Sequence, residues 1–94
     1  MRRCSRIVVR GKVQGVLYRD FVKKHAEELK IEGTVQNSND GAVVINACGS
    51  SEKFEDFIDV LYKGPPKSHV EAVAEEPITH ERDFRGVFRI IGSK

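Results

Sequence analysis

The residues best suited to chemistry lie in a glycine-containing segment near the N-terminus. Residues 11–19 read GKVQGVLYR and join a β-branched stretch to an amphipathic one. Glycines let successive backbone N–H groups turn inward into an anion-binding nest, and the N-terminus of a helix adds unpaired donors and partial positive charge. Arg19 lies where the loop becomes the helix, and its planar guanidinium can hold two phosphate oxygens at once. The segment therefore indicates a phosphate site, with these candidate binding residues: Gln14, Gly15, Val16, Leu17, Tyr18 and Arg19.

The same segment also permits a structural interpretation. A glycine-containing turn followed by a solvated arginine is common between a strand and a helix, so spacing alone leaves both interpretations open. The segment is not a P-loop, because the Gly-Lys-Ser/Thr ending is absent, and it lacks the G-x-G-x-x-G spacing of a dinucleotide site.

A second candidate is Asn37, in the segment GTVQNSNDG at residues 33–41. An asparagine side chain carries an acceptor and two donors. It can hold a water molecule through one of its protons while its amide N–H₂ touches a developing charge. Asparagine also often caps turns, so Asn37 taken alone leaves a purely structural role open.

Periodicity predicts the elements that position these two segments. Ile7 and Val9 share one face of a first strand, and Phe54, Phe57 and Leu61 form one face of a second helix. Serine caps at 50 and 51 begin that helix, and Gly64 followed by two prolines ends it. The predicted strands cover 6–10, 34–37, 42–48, 70–75 and 87–91, and the first helix covers about 20–30.

This order of elements predicts an α+β fold, the two-layer ferredoxin-like βαββαβ sandwich. Two helices would lie on one face of a mainly antiparallel sheet of four to five strands, and the other face would be partly open to water. A length of 94 residues predicts a single domain over 1–94. Many functions occur on this fold, so the fold alone decides nothing about function.

Composition excludes several classes of protein. The net charge of +2 is too weak for a strong nucleic-acid field, and the longest aliphatic run, 42–45, is too short for a membrane span. No apolar stretch of signal-peptide length follows the basic N-terminus, which predicts a cytoplasmic protein without nucleic-acid or membrane partners. His25, His69 and His80 fall outside both candidate segments. No cluster of His, Asp and Glu has metal-ligand spacing, so no metal site is predicted.

Cys4 and Cys48 are the two cysteines of the chain. They lack the spacing of a zinc site, and in a reducing cytoplasm we expect two free thiols. In the predicted fold the first and third strands are antiparallel neighbours. Cys4 then begins one strand and Cys48 ends the other, so a disulfide is geometrically possible.

Taken together, residues 11–19 and 33–41 resemble the pair of signature motifs of acylphosphatases. The resemblance extends to chain length, element order and the 87–91 ending. It implies hydrolysis of a small-molecule acyl phosphate to a carboxylate and inorganic phosphate, with no metal, no cofactor and no covalent intermediate. Arg19 matches the family's phosphate-binding arginine, Asn37 its water-orienting asparagine, and Gln14 to Arg19 its phosphate loop. Nothing in the sequence demands more than a monomer.

The sequence departs from the family pattern at Thr34, where the family usually has an aromatic residue. This departure puts packing near the site and catalytic efficiency in question, rather than the reaction. An acyl phosphate is already activated because a carboxylate is a good leaving group, so positioning and electrostatics carry the catalysis. Loss of Arg19 should remove nearly all activity, whereas loss of Asn37 should lower turnover more than phosphate affinity.

Two other functions remain open at the level of sequence. RNA-recognition domains share this topology but stack bases on aromatic residues of the third strand, and the stretch 42–48 contains none. A regulatory module that binds phosphate without turnover would retain the same loop. Phosphate binding without hydrolysis would distinguish that module from an enzyme.

Overall fold

The computed structural model describes residues 1–78 and 83–92, and in them the elements follow the predicted order. His80 and the other residues of 79–82, between the predicted strands 70–75 and 87–91, lie outside the described residues. The strands are β1 (Arg2–Lys12), β2 (Glu32–Asn37), β3 (Val43–Ser50), β4 (His69–Pro77) and β5 (Phe88–Ile90), and the helices are α1 (Tyr18–Glu28) and α2 (Ser51–Lys63).

The strands form one sheet in the order β4-β1-β3-β2-β5. The β4-β1, β1-β3 and β3-β2 pairs are antiparallel, whereas β2 and β5 run parallel. Both helices pack on this sheet, so the predicted ferredoxin-like sandwich is confirmed, with a mixed rather than purely antiparallel sheet. β1 and β2 both run antiparallel to the β3 strand between them, so their C-terminal ends lie at the same edge of the sheet, close to the start of α1.

The core lies between the sheet and the helices. Alternate strand residues such as Ile7, Val9 and Ile45 are fully buried, as their period of two predicts. Phe54, Phe57 and Leu61 of α2 pack against them, joined from α1 by Val22, Ala26 and other members of one buried cluster. Burial of this apolar surface is the main stabilising contribution that fixes α1, and with it the loop that precedes α1.

Two boundaries differ from the sequence prediction and matter for the site. β1 extends over 2–12 instead of 6–10, because it pairs with β3 on one side and β4 on the other. α1 begins at Tyr18, two residues earlier than predicted, so the loop between them is shorter. Neither helix within 1–78 and 83–92 combines the length and apolar character needed to cross a membrane.

Cys4 and Cys48 form a disulfide, so the expectation of two free thiols was wrong. The two residues are direct partners in the β1-β3 register, and their Cα atoms are 4.1 Å apart. Directly opposed residues of antiparallel strands have their Cβ atoms close together. This proximity allows the disulfide that the sequence analysis had left as a geometric possibility. The bridge ties the two central strands at the end of the sheet where β3 leads into α2.

Candidate active site

The loop between β1 and α1 has the backbone pattern of an anion-binding nest. Gly15 (φ 73°) and Leu17 (φ 65°) are both in the left-handed region, and Val16 between them is not. Such alternation turns neighbouring N–H groups toward one point. A Cβ at Gly15 would meet no atom within 4 Å, so glycine is suited there by its φ angle rather than by lack of space.

The N-terminus of α1 opens onto the same loop. Leu17 is the N-cap residue of the helix, and no side chain in the described part of the chain caps it. The first N–H groups of a helix have no intrahelical partners and carry the positive end of the helix dipole. The loop and the helix end together therefore present backbone N–H groups that can donate hydrogen bonds to an anion.

Arg19 is the second residue of α1, half-buried, and it lines a cleft of about 220 Å³ beside the loop. Its Nη1 donates a hydrogen bond to the carbonyl oxygen of Ile91, at 3.1 Å. This contact holds one edge of the guanidinium and leaves the other donors for a ligand. Sequence reasoning missed Ile91, because a backbone carbonyl can belong to any residue type and leaves no signal in the sequence.

Asn37, the last residue of β2, lines the same cleft as Arg19. Its Oδ1 is buried and has no hydrogen-bond partner among the residues that the structure describes. An unsatisfied buried acceptor costs about 1–3 kcal/mol, so such atoms in native proteins call for an explanation. An unpartnered acceptor on a residue that lines a small cleft can receive a hydrogen bond from a bound water or another donor. The structure thus brings together the two residues that the sequence singled out.

The Gln14 side chain links the loop to the β2-β3 hairpin. Its Nε2 donates to the carbonyl oxygens of Ser38, at 2.9 Å, and Ala42, at 2.8 Å. Sequence analysis assigned Gln14 to the phosphate loop, and only its backbone N–H remains free for that role. The side chain instead sets the position of the loop relative to the segment that follows Asn37.

The Tyr18 and Val16 side chains belong to the core rather than to the cleft's polar surface. Tyr18 is buried, its hydroxyl donates to the carbonyl oxygen of Leu61 at 2.7 Å, and burial raises the pKa of the phenol well above its usual value. Val16 packs partly against the core. The phenol therefore stays neutral at physiological pH and anchors α1, so its hydroxyl is not available to a ligand. Val16 is not among the residues that line the cleft.

Asp20 also lines the cleft, in the first turn of α1, so Arg19 and Asp20 bring opposite charges to it. Thr34 lies elsewhere, in a separate cleft with Phe84, Arg85 and Arg89. The predicted effect of Thr34 on packing at the site therefore has no direct contact behind it. Within 1–78 and 83–92, no three His, Cys, Asp or Glu side chains come together in an arrangement suited to a metal ion.

Comparison with known proteins agrees with the anion-binding site that the geometry indicates. A protein-family model described as Acylphosphatase matches residues 5–90, nearly the whole chain. The chain belongs to the acylphosphatase family. An acylphosphatase from Coxiella burnetii (strain RSA 493 / Nine Mile phase I) is 42% identical over 84 residues, covering 87% of this chain and 88% of that protein. One from Vibrio parahaemolyticus is 37% identical over 89 residues, covering 95% and 97%.

The crystal structure of an acylphosphatase from Bacillus subtilis has the same fold. It superimposes with a TM-score of 0.91 at 33% identity, over 98% of this chain and 100% of that one. Family membership confirms the resemblance seen in the sequence and assigns the chain to the hydrolases that act on acyl phosphates.

Proposed function

We propose that this acylphosphatase hydrolyses its substrate without a metal ion, by means of Arg19, the backbone amides of residues 14–19 and Asn37. The observation that carries the proposal is that Asn37, whose Oδ1 is buried and has no partner among the described residues, lines the same cleft as Arg19. A phosphate requires a set of hydrogen-bond donors, and an attacking water requires a free acceptor beside them.

The phosphoryl group is held by donors alone. The guanidinium of Arg19 binds phosphoryl oxygens in a fork, and the loop amides and the end of α1 donate to the remaining ones. These donor groups are already oriented toward the phosphoryl oxygens before negative charge develops there. The protein therefore needs little reorganisation to reach the transition state. Because the donor set is complete without a cation, the charge stabilisation that a metal would give comes from the protein itself.

The Oδ1 of Asn37 accepts a hydrogen bond from water and so points the water's oxygen at phosphorus. The water oxygen bonds to phosphorus as the bond from phosphorus to the acyl oxygen breaks, and the electron pair leaves with the carboxylate. Both protons of the water stay with the phosphate product, which then ionises according to the pH. Asn37 does not take up a proton, because an amide is not a base in this pH range.

The proposal extends to the product and to the state of the protein. Inorganic phosphate leaves from the Arg19 cradle and should compete with substrate, and a monomer contains the complete site, since Arg19 and Asn37 belong to one chain. The cytoplasmic location stays a prediction from the sequence. The Cys4–Cys48 disulfide favours an oxidising environment instead.

Hydrolysis of benzoyl phosphate in ¹⁸O-labelled water tests the role of Asn37. Enzyme-dependent product should carry the label in phosphate, because the water attacks phosphorus. The Asn37→Ala variant should lose about 10²-fold or more in kcat, with a much smaller change in inhibition by inorganic phosphate. Asn39→Ala, which alters an exposed asparagine two residues away, is the matched control and should behave as wild type.

Two results would contradict the assignment. Label in benzoate would mean attack at the carbonyl carbon, which the cradle does not position. Full turnover by Asn37→Ala would remove its water-placing role, and phosphate binding by a wild-type protein without turnover would favour a binding module instead.

A further inference from the structure

Leu17 combines three properties that the fold does not need. Its side chain is 73% exposed, its backbone is left-handed with φ 65°, and it occupies the N-cap of α1 without capping it. A left-handed conformation costs a residue with a Cβ about 1–2 kcal/mol. Asparagine or glycine would accept this conformation more readily.

An isolated exposed leucine is ordinary on a protein surface. Leu17 differs because it lines the cleft that contains Arg19 and Asn37. A stability cost at a residue that touches a site indicates a role in what the site binds. Since the backbone of Leu17 contributes to the nest whatever its side chain, the leucine side chain needs a contact of its own.

The substrate supplies that contact. The cradle fixes the phosphoryl group, so the acyl group must extend from the cleft toward its mouth, and Leu17 is the exposed apolar side chain there. Ile91 is 41% exposed, and its backbone carbonyl oxygen accepts from Arg19, so a second apolar residue lies beside the cleft although it does not line it. Asp20 places a carboxylate in the cleft, and its charge repels an anionic acyl group.

We propose that Leu17 forms an acyl-group subsite that favours uncharged, apolar acyl phosphates, aromatic or long-chain, over small or anionic ones. The inference rests on the proposed function, because it assumes that phosphate occupies the Arg19 cradle. An apolar acyl group covers the exposed leucine and gains the free energy of removing both apolar surfaces from water. Acetyl phosphate is too small to do so.

The test compares kcat/KM for benzoyl phosphate and for acetyl phosphate in wild type, Leu17→Asn and Leu17→Met. Asparagine tolerates the left-handed conformation better than leucine, so the Leu17→Asn variant should fold at least as well as wild type. Its ratio of benzoyl to acetyl kcat/KM should fall about five- to tenfold relative to wild type, because the aromatic ring loses its apolar partner. Leu17→Met should keep the wild-type ratio.

Tyr62→Asn is the matched control. Tyr62 lies on α2, outside the cleft, and its side chain is 55% exposed. Its replacement by asparagine also removes an exposed apolar side chain and should leave the ratio of benzoyl to acetyl kcat/KM unchanged. A wild-type ratio in Leu17→Asn with both substrates still hydrolysed would overturn the subsite and leave the proposed function standing. A wild-type protein that hydrolyses neither substrate would instead refute the proposed function, and the subsite with it.

Discussion

At the scale of the residue, Gln14 connects the two halves of the site. Arg19 belongs to α1 and Asn37 to the end of β2, and the two Nε2 hydrogen bonds of Gln14 cross from the phosphate loop to the hairpin beside Asn37. Ser38 and Ala42 also bond to each other through their backbones, at 2.9 Å, so Gln14 attaches to a closed turn. Its side chain therefore fixes the separation between the cradle and the water-holding amide.

Replacing Gln14 by alanine should affect both stability and rate. Two carbonyl oxygens lose a donor, so the free energy of unfolding should fall by about 1–3 kcal/mol. Misplacement of the loop relative to Asn37 should lower kcat about tenfold or more. Urea unfolding and initial rates with benzoyl phosphate measure the two effects; a variant less stable but equally fast would show that Gln14 only holds the fold.

What could be predicted about single residues depended on side-chain chemistry. Arg19 and Asn37 were singled out because guanidinium and amide groups have distinctive roles, and the structure places both on one cleft. The bond from Arg19 to Ile91 was not predictable, since it uses a carbonyl that every residue has. The destination of the Gln14 side chain depends on a turn distant in sequence, which periodicity does not reveal.

At the scale of the element, local signals predicted the ends of α2 better than the ends of β1. The Ser50 Oγ accepts from the N–H of Lys53 at 3.2 Å, and Gly64 ends α2 with a positive φ, as their residue types indicated. Cap chemistry is local and therefore readable in the sequence. The length of β1 was underestimated because its ends are set by pairing with β3 and β4, which are distant in sequence.

The disulfide is the element-scale feature with the largest expected effect on stability. It joins β1 to β3 across a sequence separation of 44 residues, and loop-closure entropy for that span corresponds to about 4 kcal/mol. A reducing agent should therefore shift the urea unfolding midpoint to lower concentration. The Cys4→Ala/Cys48→Ala double variant should unfold at that lower midpoint with or without reductant.

Thiol titration of unfolded, unreduced protein checks the bridge independently. No reactive thiol is expected, because both cysteines of the chain take part in the bond. Two thiols per chain would contradict the disulfide and restore the original expectation of free cysteines.

At the scale of the whole molecule, the open face of the sheet is not the surface on which we place the function. Arg6, Val8 and Arg10 of β1 alternate with buried residues and so face away from the core. The neighbouring strand β3 has no aromatic residue on which a base could stack, so the RNA-recognition alternative lacks its stacking platform. Polar and charged groups suited to catalysis meet instead at the edge where β1 and β2 end and α1 begins.

The most direct test of the account is benzoyl phosphate hydrolysis in EDTA by wild type, Arg19→Ala and Arg6→Ala. Arg6 is an exposed arginine on the open sheet face, outside the cleft, and is the matched control for loss of one positive charge. We predict rapid turnover by wild type and Arg6→Ala, and a loss of about 10³-fold or more in Arg19→Ala. Turnover by Arg19→Ala at the wild-type rate, or turnover that EDTA abolishes in wild type, would contradict a metal-free site built on Arg19.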